Sequence, residues 1–326
     1  MPNTIITPTI VAKEALMRLK NNLVLGNLVY RGYSEEFAKG TGDTVKIKTP
    51  AMFTANEYNG STIVLQSITE GYTTITLNKL LDVSFAVSSK ELTLDISDFG
   101  QQYIEGAVQA FAEQIDAYIA ALYVDIPYFT KVSATPTEDD IADIDKIMNL
   151  NKVPMTGRNL VLDPVTKKKY ITKESFLHAD KSGTTETLRE ASLGRVFGFD
   201  TYLDQSLKVH TAGVCSGVTA TGTLGDTTIT CKGAATNNFK KGDLITIAST
   251  VGQYVVTQDV TLATGGVSVN IYPALKQSCT DASVTLVDSH IANLAFHTNA
   301  FALASATLEP PLDGRKAGVV RDPDTG

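Results

Sequence analysis

The sequence has few charged residues and no excess of basic ones. Of its 326 residues, 19% are Asp, Glu, Lys or Arg, and the formal net charge is -7. Proteins that hold a phosphate backbone tightly need clustered Lys and Arg to displace its counterions. The composition therefore argues against tight nucleic-acid binding, so any DNA that lies nearby should not be bound tightly.

Long apolar runs are also missing. No segment approaches the roughly 18 to 20 apolar residues that cross a bilayer. The N-terminus, MPNTIITPTI, lacks the basic segment followed by an apolar one that marks a secretory signal. These patterns predict a soluble protein that is made in a cytoplasm.

Cysteine is scarce and shows no metal-binding spacing. Cys215, Cys231 and Cys279 are odd in number and widely separated, with no CxxC pair. We expect ordinary buried thiols, and a metal site or an obligatory disulfide are the alternatives.

Motifs of catalysis and cofactor binding are absent from the sequence. It contains no Walker A, GxGxxG, GxSxG or HExxH motif. The histidines are His178, His210, His290 and His297. His290 and His297 are seven residues apart and could share a helix face. For these histidines we favour ordinary core or surface positions over metal ligation. We therefore predict no catalytic, cofactor-binding or metal site, and a protein that is not an enzyme.

The N-terminal segment has the pattern of an amphipathic helical arm. Thr7 followed by Pro8 is typical of a helix start, and Leu16 and Leu19 belong to an apolar stripe at helical spacing. The helix is expected to end before Gly26. Because a short terminal helix is marginal alone, its stripe should dock on the body of the protein or on another subunit.

A long β-hairpin is predicted next. Residues 43–48 alternate apolar and polar side chains, residues 61–77 are rich in Ile, Val and Thr, and Asn59-Gly60 between them is a strong hairpin-turn signal. Arms of about a dozen residues would project about 40 Å. Since an isolated two-stranded ribbon is barely stable in water, a neighbouring copy is the simplest cover. The alternative is two strands within a larger sheet of the same domain.

A half-buried strand and a long helix follow the hairpin. Alternation over residues 82–88 predicts the strand, with Val83 on its apolar face. Asp98 is a plausible N-cap, and an apolar stripe continues to about Asp125, just before Pro127. At 1.5 Å per residue this helix is about 40 Å long, enough to act as a strut.

Residues 130–209 have a mixed α/β pattern. Thr137 begins a helix through Ile147, in which the acids Asp139, Asp140, Asp143 and Asp145 suit helix capping better than calcium, because the EF-hand spacing and glycine are missing. GRNLVLDP predicts a buried strand ended by a turn at Asp163-Pro164. The run Lys167-Lys168-Lys169 fits a solvated helix face better than a nucleic-acid patch.

Residues 210–287 differ from the rest of the chain. Short strands rich in Thr, Val and Ile are predicted at TTITC, DLITIA, YVVTQDVTL (residues 254–262), GVSVNIY and ASVTLV. They alternate with turn signals such as Leu224-Gly225-Asp226, Lys241-Gly242-Asp243 and Gly265-Gly266. This spacing predicts a small barrel or sandwich. Residues 291–306 then return to the earlier character, so the module is interpreted as an insertion into a host domain.

The order of these segments resembles the HK97-like capsid fold, and more particularly coat proteins of the P22 type, which carry an inserted β-barrel. The stretches that carry the resemblance are GRNLVLDP, GRVFGFDTYLDQ, FKKGDLITI with YPAL downstream, and NLAFHTNAFALA. The resemblance implies an α+β fold and a tailed-bacteriophage major capsid protein that self-assembles into an icosahedral shell around double-stranded DNA. Relatives usually continue past the turn-like residues 321–326, which predicts a truncated chain or a strand supplied by a partner.

The resemblance also implies a division of labour along the chain. Residues 1–34 are the N-terminal arm, 35–80 the extended loop, 81–129 with 306–326 the peripheral domain containing the spine helix, 130–209 with 288–305 the axial domain, and 210–287 the inserted β domain. Subunit-interface candidates are Tyr58, Asn59, Gly60, Leu16 and Leu19, and Glu14 is a candidate contact for a basic scaffold.

The implied partners are further copies in hexameric and pentameric capsomers, a scaffolding protein, a portal and packaged DNA, with no membrane and no cofactor. The implied location is the virion capsid, reached from a precursor shell assembled in the host bacterial cytoplasm. Two other classes of function stay open from the residues alone. A β-rich decoration, tail or adhesion protein would explain the insertion but not the long helix, and an unrecognised hydrolase would need polar groups that converge in a pocket.

Overall fold

The computed structural model describes residues 19, 23–34, 37, 42–49, 53, 55–57, 65, 70–84, 105–130, 135–183 and 186–306. The chain divides into two compact units. The first comprises Met1–Asn22, Val29–Phe111 and Phe301–Gly326, and the second comprises Leu23–Leu28 and Ala112–Ala300.

The first unit contains the two strands predicted for the hairpin. Strands β1 (Thr44–Thr49) and β2 (Gly71–Thr76) pair antiparallel, from Thr44 opposite Thr76 to Thr49 opposite Gly71. The predicted turn at Asn59-Gly60 lies outside the described residues. In the same unit, Tyr30 forms a parallel bridge with Ala302, so the segment after the insertion pairs with the end of the predicted arm.

The strand predicted over residues 82–88 is wrong for the part that the structure describes. Residues 82–84 belong to no strand, and Val83 is exposed. The Ser84 hydroxyl donates to the Asp82 carboxylate at 2.6 Å. Such a local side-chain bond competes with strand pairing, which explains why alternation alone misled.

A one-turn helix, α1 (Leu25–Leu28), lies where the arm helix was expected to have ended. Its first backbone donors are satisfied by Asp116, whose buried carboxylate accepts from the Val24 and Gly26 N–H groups, each at 2.8 Å. Burial raises the pKa of Asp116, and the two N–H donors oppose that shift. Gly26, which the sequence predicted to follow the end of a helix, therefore lies inside one, because the distant Asp116 carboxylate caps that helix.

The predicted long helix is present as α2 (Glu105–Ala120), continued by a 3₁₀ turn, Ala121–Asp125. It ends at Asp125, as expected, and the proposed N-cap Asp98 lies outside the described residues. The boundary between the two units falls within α2, after Phe111. In the second unit its buried residues are Ala112, Asp116, Ala117, Ile119 and Ala120.

The second unit has an α/β part built on a four-stranded sheet. The strands are β3 (Arg158–Leu162), β4 (Arg195–Val196), β5 (Phe199–Leu203) and β16 (Leu294–His297). Their order is β16-β3-β5-β4; β3 is parallel to β5 and antiparallel to β16, and all five residues of β3 are buried. The helices are α3 (Glu138–Leu150), α4 (Pro164–Ile171), α5 (Glu174–Leu177), α6 (Ala179–Ser182) and α7 (Glu186–Glu190).

Local capping explains two of these helix starts. Thr137 and Asp140 form a capping box at α3, so one acid of the predicted cluster caps the helix, whereas Asp143 pairs with Lys146 and Asp145 with Arg158. The helix runs beyond Ile147 to Leu150. Asp163 caps α4, accepting from Val165 N at 2.9 Å, so Asp163-Pro164 begins a helix as well as ending a strand. Lys168 and Lys169 lie exposed on α4, which agrees with the solvated-face interpretation.

A buried arginine joins α3 to the sheet. Arg158 is 1% exposed; its guanidinium donates to Asp145 at 2.6 Å and Asn149 at 2.8 Å, and also to the carbonyl oxygens of Val153 and Pro154. The loop after α3 is thereby fixed to the start of β3.

The inserted segment forms a closed six-stranded barrel of order β10-β11-β13-β8-β7-β14. Its strands are β7 (Thr219–Gly222), β8 (Thr228–Lys232), β10 (Leu244–Ile247), β11 (Tyr254–Val256), β13 (Val267–Tyr272) and β14 (Cys279–Leu286). The predicted run at 254–262 splits into β11 and β12 (Val260–Thr261), and β12 pairs with β9 (Asn238–Phe239). Strand β7 was not foreseen, because TATG has too little hydrophobic pattern.

The chain enters and leaves the barrel through one short pair of strands. Strand β6 (Val209–His210) pairs antiparallel with β15 (His290–Ile291). The idea that His290 and His297 share a helix face is wrong, since they lie on β15 and β16. Pairing with distant strands overrides the helical spacing.

Candidate assembly surface and barrel junction

The ribbon of β1 and β2 is largely uncovered in the single chain. Val45 is buried and Ile47 and Ile75 are half-buried, whereas the other residues of both strands are exposed. The exposed face is ordered by its own contacts: the Lys46 ammonium lies 4.9 Å from the centre of the Tyr72 ring, and Lys48 pairs with Glu70 at 2.9 Å. Tyr72 is 64% exposed, so the ribbon offers an aromatic group with a charged surround.

Most of the residues predicted from the sequence to lie at interfaces are not among the described residues. Tyr58, Asn59, Gly60, Leu16 and Glu14 lie outside the described residues. Leu19 is described, in helical conformation and half-buried. Their roles at interfaces and in scaffold contact therefore remain predictions.

A buried hydrogen-bond relay, which sequence reasoning missed, lies where the barrel joins the α/β part. The Tyr123 hydroxyl lies 2.6 Å from His210 Nδ1, and His210 Nε2 lies 2.7 Å from Asp243 Oδ1. His210 is 3% exposed and Asp243 is fully buried. An ionised carboxylate only accepts, so Nε2 is the donor to Asp243. In a neutral imidazole, Nδ1 then accepts a hydrogen bond from the Tyr123 hydroxyl. Burial, and after it the charge of Asp243, raise the pKa of Tyr123.

Asp243 also holds the turn before β10. Its carboxylate accepts from Lys240 N at 2.7 Å and from Gly213 N at 3.2 Å. Lys241 of the same turn pairs with Asp125 at the end of the 3₁₀ turn. The relay therefore ties together the end of the long helix, the entry strand β6 and a barrel turn. The Lys241-Gly242-Asp243 turn signal was the only local sign of it, with Gly242 at φ +94°.

A second histidine and a groove lie next to the relay. His290 lies beside His210, with ring centres 5.4 Å apart. Among the described residues, no group of three or more His, Cys, Asp and Glu side chains could hold a metal ion. A groove of about 630 Å³ next to the junction has a mixed polar and apolar lining from residues 126–130 and 287–293 and from α3, β3, α4 and β16.

The three cysteines lie in or against the barrel core as free thiols. Cys231 and Cys279 are buried, and Cys215 is half-buried. Burial raises the pKa of Cys231 to about 12. They therefore behave as small apolar residues, as expected from their spacing.

Comparison with known proteins decides what kind of molecule carries these features. The family model described as "P22 coat protein - gene protein 5" matches residues 3–310, nearly the whole chain. The chain belongs to the P22 coat protein family. It is accordingly a phage major capsid protein, a component of the virion shell, as the resemblance predicted.

Solved structures similar to this chain come from several phages. A chain from Mycobacterium phage Che8 has 17% identity and a TM-score of 0.48, covering 81% of this chain and 90% of its own. The capsid structure of cyanophage P-SCSP1u has 13% identity and a TM-score of 0.46, covering 87% and 89%. The mature capsid of bacteriophage PhiM1 has 12% identity and a TM-score of 0.41, covering 76% and 82%. No curated protein sequence matches the chain.

Family membership favours a shell protein over the tail, adhesion and hydrolase alternatives. The predicted α+β class with a small barrel is confirmed by the observed strands and helices. In the part of the chain that the structure describes, every helix is too short or too polar to traverse a bilayer.

Proposed function

We propose that copies of this coat protein tile into a closed icosahedral shell of hexameric and pentameric capsomers around double-stranded DNA, with the β1–β2 ribbon overlapping an adjacent subunit. The observation that carries this proposal is the exposure of the ribbon. A two-stranded ribbon is marginal in water, and Tyr72 at 64% exposure would gain from burial against a neighbour.

The HK97-like division of the chain is part of the same proposal. Residues 1–34 serve as the arm, 35–80 as the extended loop, 81–129 with 306–326 as the peripheral domain, 130–209 with 288–305 as the axial domain, and 210–287 as the insertion. Support comes from two pairings: β15 pairs with β6 at the point where the chain enters and leaves the insertion, and β16 then returns the chain to the sheet of β3 and β5.

A scaffolding protein, a portal and packaged DNA complete the proposed assembly, which takes place in the host bacterial cytoplasm. Glu14 remains the candidate for a basic scaffold. The net charge of -7 is consistent with a shell that encloses DNA without binding it tightly. The role is structural, with no catalytic step.

The test is assembly of the purified chain, followed by size-exclusion chromatography and negative-stain imaging. Closed shells or capsomer rings are expected. Fibres or tubes would favour a tail protein, and a stable monomer under all assembly conditions would contradict the proposal.

A ribbon variant locates the contact. Tyr72→Glu removes the ring yet can still pair with Lys46, so the ribbon should keep its strands while shell formation is lost. Leu224→Glu is the matched control, since Leu224 is 68% exposed but lies on a barrel turn. Equal assembly of the two variants would reject the role of the ribbon.

A further inference from the structure

The β4–β5 hairpin carries a bulky residue in an unfavourable backbone conformation. Arg195 pairs with Asp200 and Val196 with Phe199, leaving the two-residue turn Phe197-Gly198. Both turn residues have positive φ, +47° and +86°. Two-residue hairpin turns of this kind strongly favour Asn-Gly, because asparagine tolerates the left-handed region and a bulky side chain does not.

Phe197 stands apart from the other non-glycine residues with positive φ that the structure describes. The others are Lys152, Ala191, Ser249 and Asp281, all small or polar and all exposed. A short polar or small side chain at such a position needs no special explanation. A strained phenylalanine does, since an outlier of this kind is kept where it serves a function.

Packing within the chain covers only about half of Phe197. Val196 and Phe199 on either side are buried in the core against β3, whereas Phe197 is 52% exposed. A Cβ placed on Gly194 or on Gly198 would meet no described atom within 4 Å, so the tip of the hairpin projects into open space. The hairpin turn therefore combines a strained backbone with the half-exposed aromatic ring of Phe197.

We propose that Phe197 is an intersubunit anchor whose ring inserts into an apolar recess on a second copy of this chain. The proposal rests on the shell-forming function, which makes sister copies the partners within reach. The surround fits an interface: Arg195 is exposed and Asp200 is half-buried at the base of the hairpin, and the two side chains lie 3.8 Å apart, giving a polar rim to an aromatic centre.

The substitution Phe197→Asn distinguishes an anchor from a residue that only supports the fold, because it should stabilise the isolated subunit and yet weaken assembly. Asparagine relieves the backbone strain, so the unassembled subunit should show a higher thermal midpoint. Loss of the buried ring should raise the subunit concentration needed for shells by about 10- to 100-fold. Phe197→Tyr keeps the ring and should assemble nearly as the parent does.

Ala191→Asn is the matched control. Ala191 also has positive φ, +53°, so this change relieves strain without removing an aromatic ring. Its subunit should be stabilised while assembly is unchanged.

A photoreactive phenylalanine analogue at position 197 tests the contact itself. Irradiated shells should yield covalent dimers on a denaturing gel, and unassembled subunits should not. If the parent forms shells but Phe197→Asn assembles at the same concentration, or no dimers form, the anchor is overturned while the shell function stands. A parent chain that never forms shells overturns both.

Discussion

Replacing Asp243 by alanine tests whether the buried relay holds the barrel in place. Asp243 is fully buried and accepts from His210 at 2.7 Å, Lys240 N at 2.7 Å and Gly213 N at 3.2 Å. The change leaves these three donors without their acceptor in a site that water does not reach. Each buried donor left unsatisfied costs about 1 to 3 kcal/mol, so the loss of the shared acceptor should lower the unfolding free energy by about 3 kcal/mol or more.

Asp259 provides the matched control. Its carboxylate also accepts a backbone N–H of the same turn, from Lys241 at 2.7 Å, but Asp259 is exposed. Water can replace that bond, so Asp259→Ala should cost only about 0.5 to 1 kcal/mol.

Urea unfolding of the unassembled subunit measures both variants. The sequence has no tryptophan, so circular dichroism and hydrogen exchange of the barrel amides are the suitable probes. Together with His210→Ala, a double-mutant cycle should give a coupling of about 1 to 3 kcal/mol. Additive losses, or a loss below that of Asp259→Ala, would refute the view that the relay carries the junction.

Three further predictions concern single side chains. Arg158→Met should lower the unfolding free energy by about 2 to 3 kcal/mol in urea, because two backbone carbonyls lose their donor while the partly exposed Asp145 can be hydrated; a change under 1 kcal/mol would contradict this. Cys231, with its pKa raised to about 12, should carry a thiolate on only about one molecule in 10⁴ at pH 8 and resist iodoacetamide until the chain is unfolded, and labelling of the native chain would count against the buried site. Gly213→Ala should disturb the barrel entry, since its Cβ would collide with the Asn238 carbonyl; an unchanged hydrogen-exchange pattern at β9 would speak against it.

Much of the local architecture was determined by the sequence alone. The hydrophobic run of GRNLVLDP identified β3, the Thr137 capping pattern placed α3, and glycine turn signals with alternating strands indicated the barrel. These features depend on residues close together in the sequence, because hydrophobic periodicity, capping residues and turn residues act over only a few positions. The order of such segments was also enough to indicate the coat protein family.

Only the tertiary structure decided which distant groups meet. Tyr123 and His210 are 87 residues apart, and His210 and Asp243 are 33 apart, so no local pattern could place them in one relay. The same holds for Asp116, which caps α1 from 90 residues away and turns Gly26 from a helix stop into a helical residue. Contacts of this kind follow from how whole elements pack, because a buried carboxylate takes its partners from whatever donors the fold brings within reach.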